Sequence, residues 1–585
     1  MGFLFLGAAM ATTETKTQRV ERLKREKNPW QAFDELRNCA EKGFPAIPPE
    51  WLGTYLRWWG VYTQGDGAGV VGGKNGEGKA VPFFMVRIRI PNGQISAAQM
   101  RVVAELSRRF GRGVADITVR QNIQLHWIPA ESLPEVLTTL DKNGLTSLGA
   151  CGDVVRNITG CPVAGLDADE ICDTLPLAQE ASRFLAGNAE FYNLPRKFKA
   201  SLTGCPAWCS YPEINDVGLT ATVRRAQGEG RSHGGESQDK DEIGFSLRVG
   251  GGLSADPHLA VRLNAFVRWD QAVDVVRAVA TLFRESTVLR EHRERARLKF
   301  LFLREGWSAD DFQRELEKKL GYALDPAEPE TAPEDVYRDH VGIHRQKQVS
   351  LCYMGATVLR GRLTWEQLHA AAELAERFAD GQLRTTSMQN LIVVNVPRKS
   401  APLLAKELEA IGLPIHASPF VRGTVACTGT EFCKLAITET KGFARWLTEE
   451  LDERVPGFEQ HLKIHIAGCP NSCGQHAIAD IGLEGKKLIV NGAMTDAFYF
   501  CLGGSVGAFQ TIGRPVGYRC SAQDVPESIA RVLHQYQASQ TPGENLRQFF
   551  ARHSDVELRQ LLAGGTFEPV QRDLPTAPVP HSVEG

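Results

Sequence analysis

The chain has 585 residues, with 67 basic and 69 acidic side chains and a formal net charge of -2. That balance excludes a whole-molecule attraction to nucleic acid or anionic lipid, and the length supports several packed cores. The 13 cysteines are sparse and odd in number, which excludes a fully paired disulfide scaffold and points to thiols or metal ligands in a reducing cytoplasm.

In chain order, residues 1–11 are apolar but lack the basic flank of a secretion signal, so a disordered lead is expected, with Met10 as an alternative start. A basic helix is expected from near Thr17. No apolar run approaches the roughly 18 residues that span a bilayer, so no membrane segment is expected. Gly67-Ala-Gly69-Val-Val-Gly72 has the letters of a dinucleotide fingerprint, but glycines continue to Gly78 and leave no helix to hold a pyrophosphate.

An alanine- and leucine-rich helix then ends at Arg109-Phe110, a polar turn carries Gln121-Asn122, and an alternating strand ends at Pro129. The same words return 268 positions later as Arg377-Phe378, Gln389-Asn390 and Pro397. Val155-Arg156 through Cys161 returns as Val421-Arg422 through Cys427, offset by 266. Gly204-Cys205-Pro206 through Cys209, with Asp216-Val-Gly-Leu219, returns as Gly468-Cys469-Pro470 through Cys473, with Asp480-Ile-Gly-Leu483, offset by 264. Three matches in one order at nearly constant spacing mark an internal duplication. The expected fold is α+β with pseudo-twofold symmetry, each half ending its strands in glycines (Val249-Gly-Gly-Gly252 and Leu502-Gly-Gly504). Residues 224–241 read as a surface insertion, 326–333 as a linker, and the proline-bearing stretch after Thr566 as a loose tail.

The second half spaces Cys427 and Cys433 as C-x5-C and Cys469 and Cys473 as C-x3-C. Four thiolates in two loops suit an iron-sulfur cubane, a zinc ion, or simply four buried thiols. Spacing wider than the usual zinc knuckle favours the cubane, and the adjoining proline and glycines favour tight loops that aim sulfurs at one centre.

Cys427-Thr-Gly-Thr-Glu-Phe-Cys433 with Gly468-Cys-Pro-Asn-Ser-Cys473-Gly-Gln resembles the signature of the sirohaem and [4Fe-4S] sulfite and nitrite reductases, and the resemblance runs from about Trp51 to Leu533. It implies that Cys427, Cys433, Cys469 and Cys473 ligate the cluster and that Cys473 also bridges to the sirohaem iron. Sirohaem carries many carboxylates, so its site needs fixed cations. By resemblance Arg87 (in Met85-Val-Arg87-Ile-Arg89), Arg156, and Lys197 and Lys199 (in Pro195-Arg196-Lys197-Phe-Lys199) face the open side of the iron as catalytic residues. Thr118, Arg120, Asn122, Arg345 and Lys347 resemble the segments that hold the macrocycle's acid groups. Lys-x-Lys is the pattern of sulfite-reducing relatives, where nitrite enzymes tend to have Lys-x-Asn. Tyr62 and Cys151 match positions that some relatives join covalently.

The resemblance implies a three-domain architecture with a 1–50 extension and paired ferredoxin-like half-domains from 51–145 and 340–418. Two sirohaem-domain repeats follow, 146–335 and 419–540, the second carrying the site, and then a 541–585 tail. It further implies a cytoplasmic, monomeric enzyme that takes electrons from ferredoxin and reduces sulfite to sulfide. Nitrite reduction to ammonia is the alternative, and a non-catalytic iron-sulfur or zinc protein the alternative of another class. In the first half Cys161, Cys205 and Cys209 hold three of the four ligand positions and Asp167 the fourth. A second cluster and three relic thiols are both compatible with that.

Overall fold

Two helices show how local sequence sets the architecture. Ser96 and Thr364 each accept the N–H of the residue three positions on (Gln99 and Gln367), whose side chains bond back, so both open with capping boxes. The helices they start, Ala97–Phe110 and Trp365–Phe378, bury Met100, Val103 and Ala104 on one side and Leu368, Ala371 and Ala375 on the other. These faces share one apolar core beneath two five-stranded sheets. In a computed structural model that describes residues 14–64, 81–225, 241–330 and 337–571, each of these sheets borrows an edge strand from the other half. Gln94–Ser96 pairs with Gln382–Thr385, and Arg362–Thr364 pairs with Val114–Ile117. The exchange locks the two ferredoxin-like halves together.

The other two sheets repeat one topology. Val155–Gly160, Phe198–Thr203 and Val217–Arg224 run parallel, followed by antiparallel Glu242–Val249 and Val261–Arg268. Thr424–Ala426, Ile464–Ala467 and Ile481–Val490 run parallel, followed by antiparallel Ala493–Leu502 and Arg514–Ser521. Register is conserved between them: Gly160 faces Leu202 as Ala426 faces Ile466. Even left-handed backbone recurs at residues that bear a Cβ, in Gln121 and Gln389 (φ 59° and 63°), Trp208 and Ser472 (49° and 53°), and Tyr211 and Gln475 (55° and 62°). Such φ values are sparsely populated, so their recurrence shows one backbone path kept while the side chains diverged.

Two expectations change. The helices Lys16–Glu26 and Pro29–Ala40 place Leu23, Ala32 and Leu36 in the ferredoxin-like core, so the N-terminal stretch is built into the fold from residue 14 onward. The helices Leu546–Arg552 and Asp555–Ala563 bury Phe549, Phe550, Leu558 and Leu562 against the second repeat's sheet, so 541–563 is not a tail. The sequence predicts the N-terminal helix but not its burial, and the short C-terminal helices, flanked by polar residues, carry no clear periodic signal. Residues 1–11, the glycine run at 67–78, most of the 224–241 insertion, 331–336 of the linker and the chain beyond 571 lie outside the described residues. No helix among the described residues is long and apolar enough to cross a membrane.

Candidate active site

Parallel pairing of Thr424–Ala426 with Ile464–Ala467 brings the starts of both cysteine loops together. The Cys427 N–H donates to Ile466 O at 3.0 Å, and the Gly468 N–H reaches Cys427 Sγ at 3.2 Å. Cys433 N–H closes its loop on Gly429 O at 2.9 Å, and Asn471 Nδ2 donates to Cys469 Sγ at 3.5 Å. Left-handed Ser472 turns the chain into Cys473, and Gly474 follows because a Cβ there would sit 2.1 Å from Ile466 O. Burial pushes up the thiols of Cys427, Cys433 (to about 12) and Cys469, and the Cys473 charge adds to each, so the four sulfurs share one field. Such a set holds its protons until a cationic metal centre stabilises the thiolates, and four converging cysteines fit a [4Fe-4S] cluster.

The C-x5-C loop is pinned from below. Arg362, on the exchanged strand, grips Glu431 at 2.7 and 2.8 Å and Asp116 at 2.7 and 3.0 Å. Asp116 also accepts or shares a proton with His126 at 3.0 Å, and the Phe432 ring stacks on His126 with centroids 3.9 Å apart. Burial works against the Asp116 carboxylate, but Lys441 and Arg362 outweigh it and hold its pKa well below the usual carboxylate range.

A cationic cradle adjoins the cluster loops. Arg87 donates to Gln124 Oε1 at 2.9 and 2.7 Å and to Ala150 O at 3.4 Å, and Gln124 Nε2 reaches Thr428 Oγ1, next to Cys427, at 3.4 Å. Arg156 shares Ala150 O at 3.2 Å and holds Gly152 O at 3.0 and 2.8 Å. Phe198 is buried in the first repeat's core, so Lys197 and Lys199, on either side of it, face the opposite way. Neither ammonium donates to a protein group among the described residues. Asp216 is the carboxylate in this group, and it already accepts from Arg297 at 2.9 Å and from the Lys199 N–H at 2.8 Å.

The cradle is over-positive. Burial and then Arg297 push Lys197 down to about 7. Burial and Arg120 push Lys199 well below its ordinary value, and burial with Arg156 takes Arg120 to about 9. Arg120 Nε and all three side-chain nitrogens of Arg89 are buried without a partner among the described residues. Arg120 donates to neutral groups, Asn215 Oδ1 at 2.8 Å and Asn157 O at 2.6 Å, and desolvated cations met mostly by neutral acceptors or none call for a polyanion, which a macrocycle bearing several carboxylates fits.

The structure divides the expected site residues. Arg87, Arg120, Arg156, Lys197 and Lys199 converge with Cys473, whose charge acts on both Arg87 and Lys197. Tyr62 and Cys151 join them: burial works against the Arg87 charge, but Cys151 and then Tyr62 outweigh it, and the guanidinium lies 5.4 Å from the Tyr62 ring centroid. Thr118 and Asn122 shape the turn that presents Arg120. Thr118 Oγ1 accepts the Arg120 and Asn122 N–H groups at 3.3 and 3.1 Å, and Asn122 Oδ1 accepts the Ile90 N–H at 3.2 Å. Arg345 and Lys347 are exposed, and Lys347 pairs with Glu170 of the first repeat at 2.6 Å; no contact among the described residues ties either to the cradle. Arg297 and Gln124 were missed. Asp216, which anchors Arg297, stood in the repeated Asp-x-Gly-Leu word and was the available signal.

Pseudo-symmetry gives the cradle an image in the second half, and that image is filled. Lys463 N–H donates to Asp480 Oδ2 at 2.7 Å just as Lys199 does to Asp216. The cleft beside Lys463 is lined by Tyr211, Tyr337, Arg338 and Met388. Met388 stands where Arg120 stands in the first half, and Tyr337 stacks on His461, the image of Lys197, at 4.6 Å. Aromatic side chains occupy the space that cations surround in the true cradle.

A duplicated ferredoxin-like pair, two repeats of one mixed sheet, a four-cysteine centre and a polycationic cradle define an oxyanion reductase built on an iron-sulfur centre and a polycarboxylate macrocycle. The nitrite and sulphite reductase 4Fe-4S domain matches residues 151–324 and 417–564, and the ferredoxin-like half domain of the same enzymes matches 77–143 and 344–411. The chain belongs to the nitrite and sulphite reductase family, whose cofactors are sirohaem and a [4Fe-4S] cluster. It is 35% identical to an assimilatory ferredoxin-dependent nitrite reductase of Haloferax mediterranei, over 94% of this chain and 93% of that one. It is 34% identical to a sulfite reductase [ferredoxin] of Mycobacterium tuberculosis, covering 92% and 95%. The solved structure of the Mycobacterium tuberculosis NirA protein superposes with a TM-score of 0.85 at 34% identity, covering 92% of this chain and 97% of that one.

Proposed function

We propose that this chain is a ferredoxin-dependent sulfite reductase that converts sulfite to sulfide with six electrons. The observation that carries this reading is the Lys197 and Lys199 pair, two amines on one face with no protein acceptor among the described residues, set beside Arg87, Arg156 and Cys473. Coulomb attraction scales with charge, so a second ammonium stabilises a doubly charged anion more than nitrite. When bound, sirohaem and a [4Fe-4S] cluster would supply the electrons one at a time. Cys427, Cys433, Cys469 and Cys473 would hold the cluster, Cys473 being the ligand that faces the cradle, and Arg120 would bind a macrocycle carboxylate.

The chain's own groups do the rest. Arg87 and Arg156, braced through their shared bond to Ala150 O, hold two guanidinium groups at fixed positions for the anion's oxygens. Lys197 and Lys199 bind the remaining oxygens and give up protons as S–O bonds break, a task suited to amines whose burial lowers their affinity for protons. Ferredoxin as donor is supported by the names of the nitrite and sulfite relatives alike.

Nitrite reduction is the second reading, favoured by the names of the Haloferax mediterranei relative and of a ferredoxin–nitrite reductase of Synechococcus elongatus that is 35% identical. Steady-state kinetics of the holoenzyme with reduced ferredoxin on both anions separates them. We expect a higher kcat/KM for sulfite, and expect Lys199→Asn to lower it about tenfold more for sulfite than for nitrite. Equal losses on the two anions would remove the charge argument.

A further inference from the structure

The first repeat brings its three cysteines to one buried point. Cys161 follows the strand Val155–Gly160, and Cys205 and Cys209 lie in the loop after Phe198–Thr203, so the same parallel pairing that builds the cluster loops joins these. Cys205 Sγ and Cys209 Sγ are 3.4 Å apart. A fourth group arrives from the other half: one ring nitrogen of His340 and the sulfurs of Cys161 and Cys209 all lie within 4.8 Å of one another. His340 is 4% exposed, and neither of its ring nitrogens has a hydrogen-bond partner among the described residues. A buried imidazole with both nitrogens idle is costly unless something else is bound.

Its position is not accidental packing. His340 takes a left-handed backbone (φ 63°), and its carbonyl fits against Gly355, where a Cβ would lie 1.7 Å from the oxygen. The fold therefore fixes the imidazole over the sulfurs.

We propose that Cys161, Cys205, Cys209 and His340 bind one tetrahedral zinc ion. With Zn–S near 2.3 Å and Zn–N near 2.0 Å, the edges of such a tetrahedron are roughly 3.5–3.8 Å; Cys205 and Cys209 stand 3.4 Å apart, Cys161, Cys209 and His340 lie within 4.8 Å of one another, and closing the set needs side-chain adjustment, chiefly of Cys205 toward the imidazole. Three thiolates and one imidazole are ligands that suit zinc, and a set of four protein ligands leaves no open position, which is the form of a structural site. A cubane does not fit here. Its inorganic core must part the thiolates, whereas these sulfurs are in contact and walled in by Val163, Tyr353, Ile392 and Val394. The residue at the fourth cluster position, Asp167, is turned away into an ion pair with Arg338. Arg338, already paired with Asp167 and Asp169, shares a cleft with Cys209, and the cleft gives the ion a way in. The site would clasp the segment that enters the second ferredoxin-like sheet onto the first repeat.

The test uses untagged, anaerobically purified holoenzyme. Metal analysis should give about one zinc beside about five iron atoms per chain. Zinc X-ray absorption should show three sulfur neighbours near 2.3 Å and one nitrogen near 2.0 Å. His340→Cys should keep the zinc with four sulfur neighbours, and His340→Ala with Cys161→Ser should lower zinc at least tenfold while the iron count and visible spectrum persist. If the double variant does not fold, the absorption spectrum of the parent enzyme decides. Four results would each overturn the proposal: substoichiometric zinc in the parent, about nine iron atoms per chain, a mass deficit of about two daltons locating a Cys205–Cys209 disulfide, or zinc retained by the double variant.

Discussion

Cys473 differs from its three partners in exposure and in what it faces. Cys427, Cys433 and Cys469 are buried or half-buried within the loops, whereas Cys473 is exposed beside Arg87 and Lys197. It is therefore the sulfur placed to connect the cluster side to the cradle side. We expect Cys473→Ser to fold, because its neighbours Ser472 and Gly474 keep the turn, but to lower activity more than about 100-fold, since a neutral hydroxyl is a poor substitute for a soft thiolate. Activity assays paired with electron paramagnetic resonance check this, and near-normal turnover in the variant would contradict it. Cys473 was legible in the sequence because its word occurs twice and its spacing is chemical. Arg297 was not legible: an arginine in a run of Arg and Lys looks like solvated charge, and only the buried bond to Asp216 reveals it.

At the scale of elements, the C-x5-C loop owes its shape to a strand that is remote in sequence. Arg362 lies on the exchanged strand, and through Glu431 it ties the cluster loop to the first ferredoxin-like sheet, with Phe432 wedged on His126. Glu431→Ala removes this tie yet leaves Arg362 bonded to Asp116, so no cation is stranded. Loss of a charged, partly exposed bond is worth about 1.5 kcal/mol, or roughly tenfold in an equilibrium. Iron release to a chelator should accordingly be about tenfold faster in Glu431→Ala than in the parent, with the circular dichroism spectrum unchanged; an unaltered release rate would remove the loop-pinning role. The repeated helix-strand words foretold the two half-domains but not the strand exchange. Three-residue edge strands such as Gln94–Ser96 and Arg362–Thr364 carry no periodic signal, and their pairing is decided by tertiary docking.

At the scale of the whole molecule, one carboxylate joins three distant parts of the chain. Asp153, in the loop that leads to Arg156, meets Arg293 at 2.7 Å, Arg196 at 3.2 Å and Lys24 of the N-terminal helix at 3.5 Å, with its side chain 4% exposed. Burial alone would raise its pKa, but Arg293, Lys24 and Arg196 together hold it far below the usual carboxylate range. Removing the charge leaves Arg293 and the partly exposed Arg196 without their carboxylate and Lys24 with Glu21 as its remaining anion, so Asp153→Asn should destabilise by about 3 kcal/mol at neutral pH. Because the folded value is depressed, the stabilisation is complete above the unfolded carboxylate value of about 3.9 and is lost as pH falls below it toward the folded value. The thermal midpoint of Asp153→Asn should therefore lie several degrees below the parent at pH 7, stay so down to about pH 4, and converge on it only in stronger acid. A gap that closes by pH 6 would assign the effect to another group, and no gap at pH 7 would show that the N-terminal helix is held by Leu23, packed with Ala32 and Leu36 of the next helix, without help from this carboxylate.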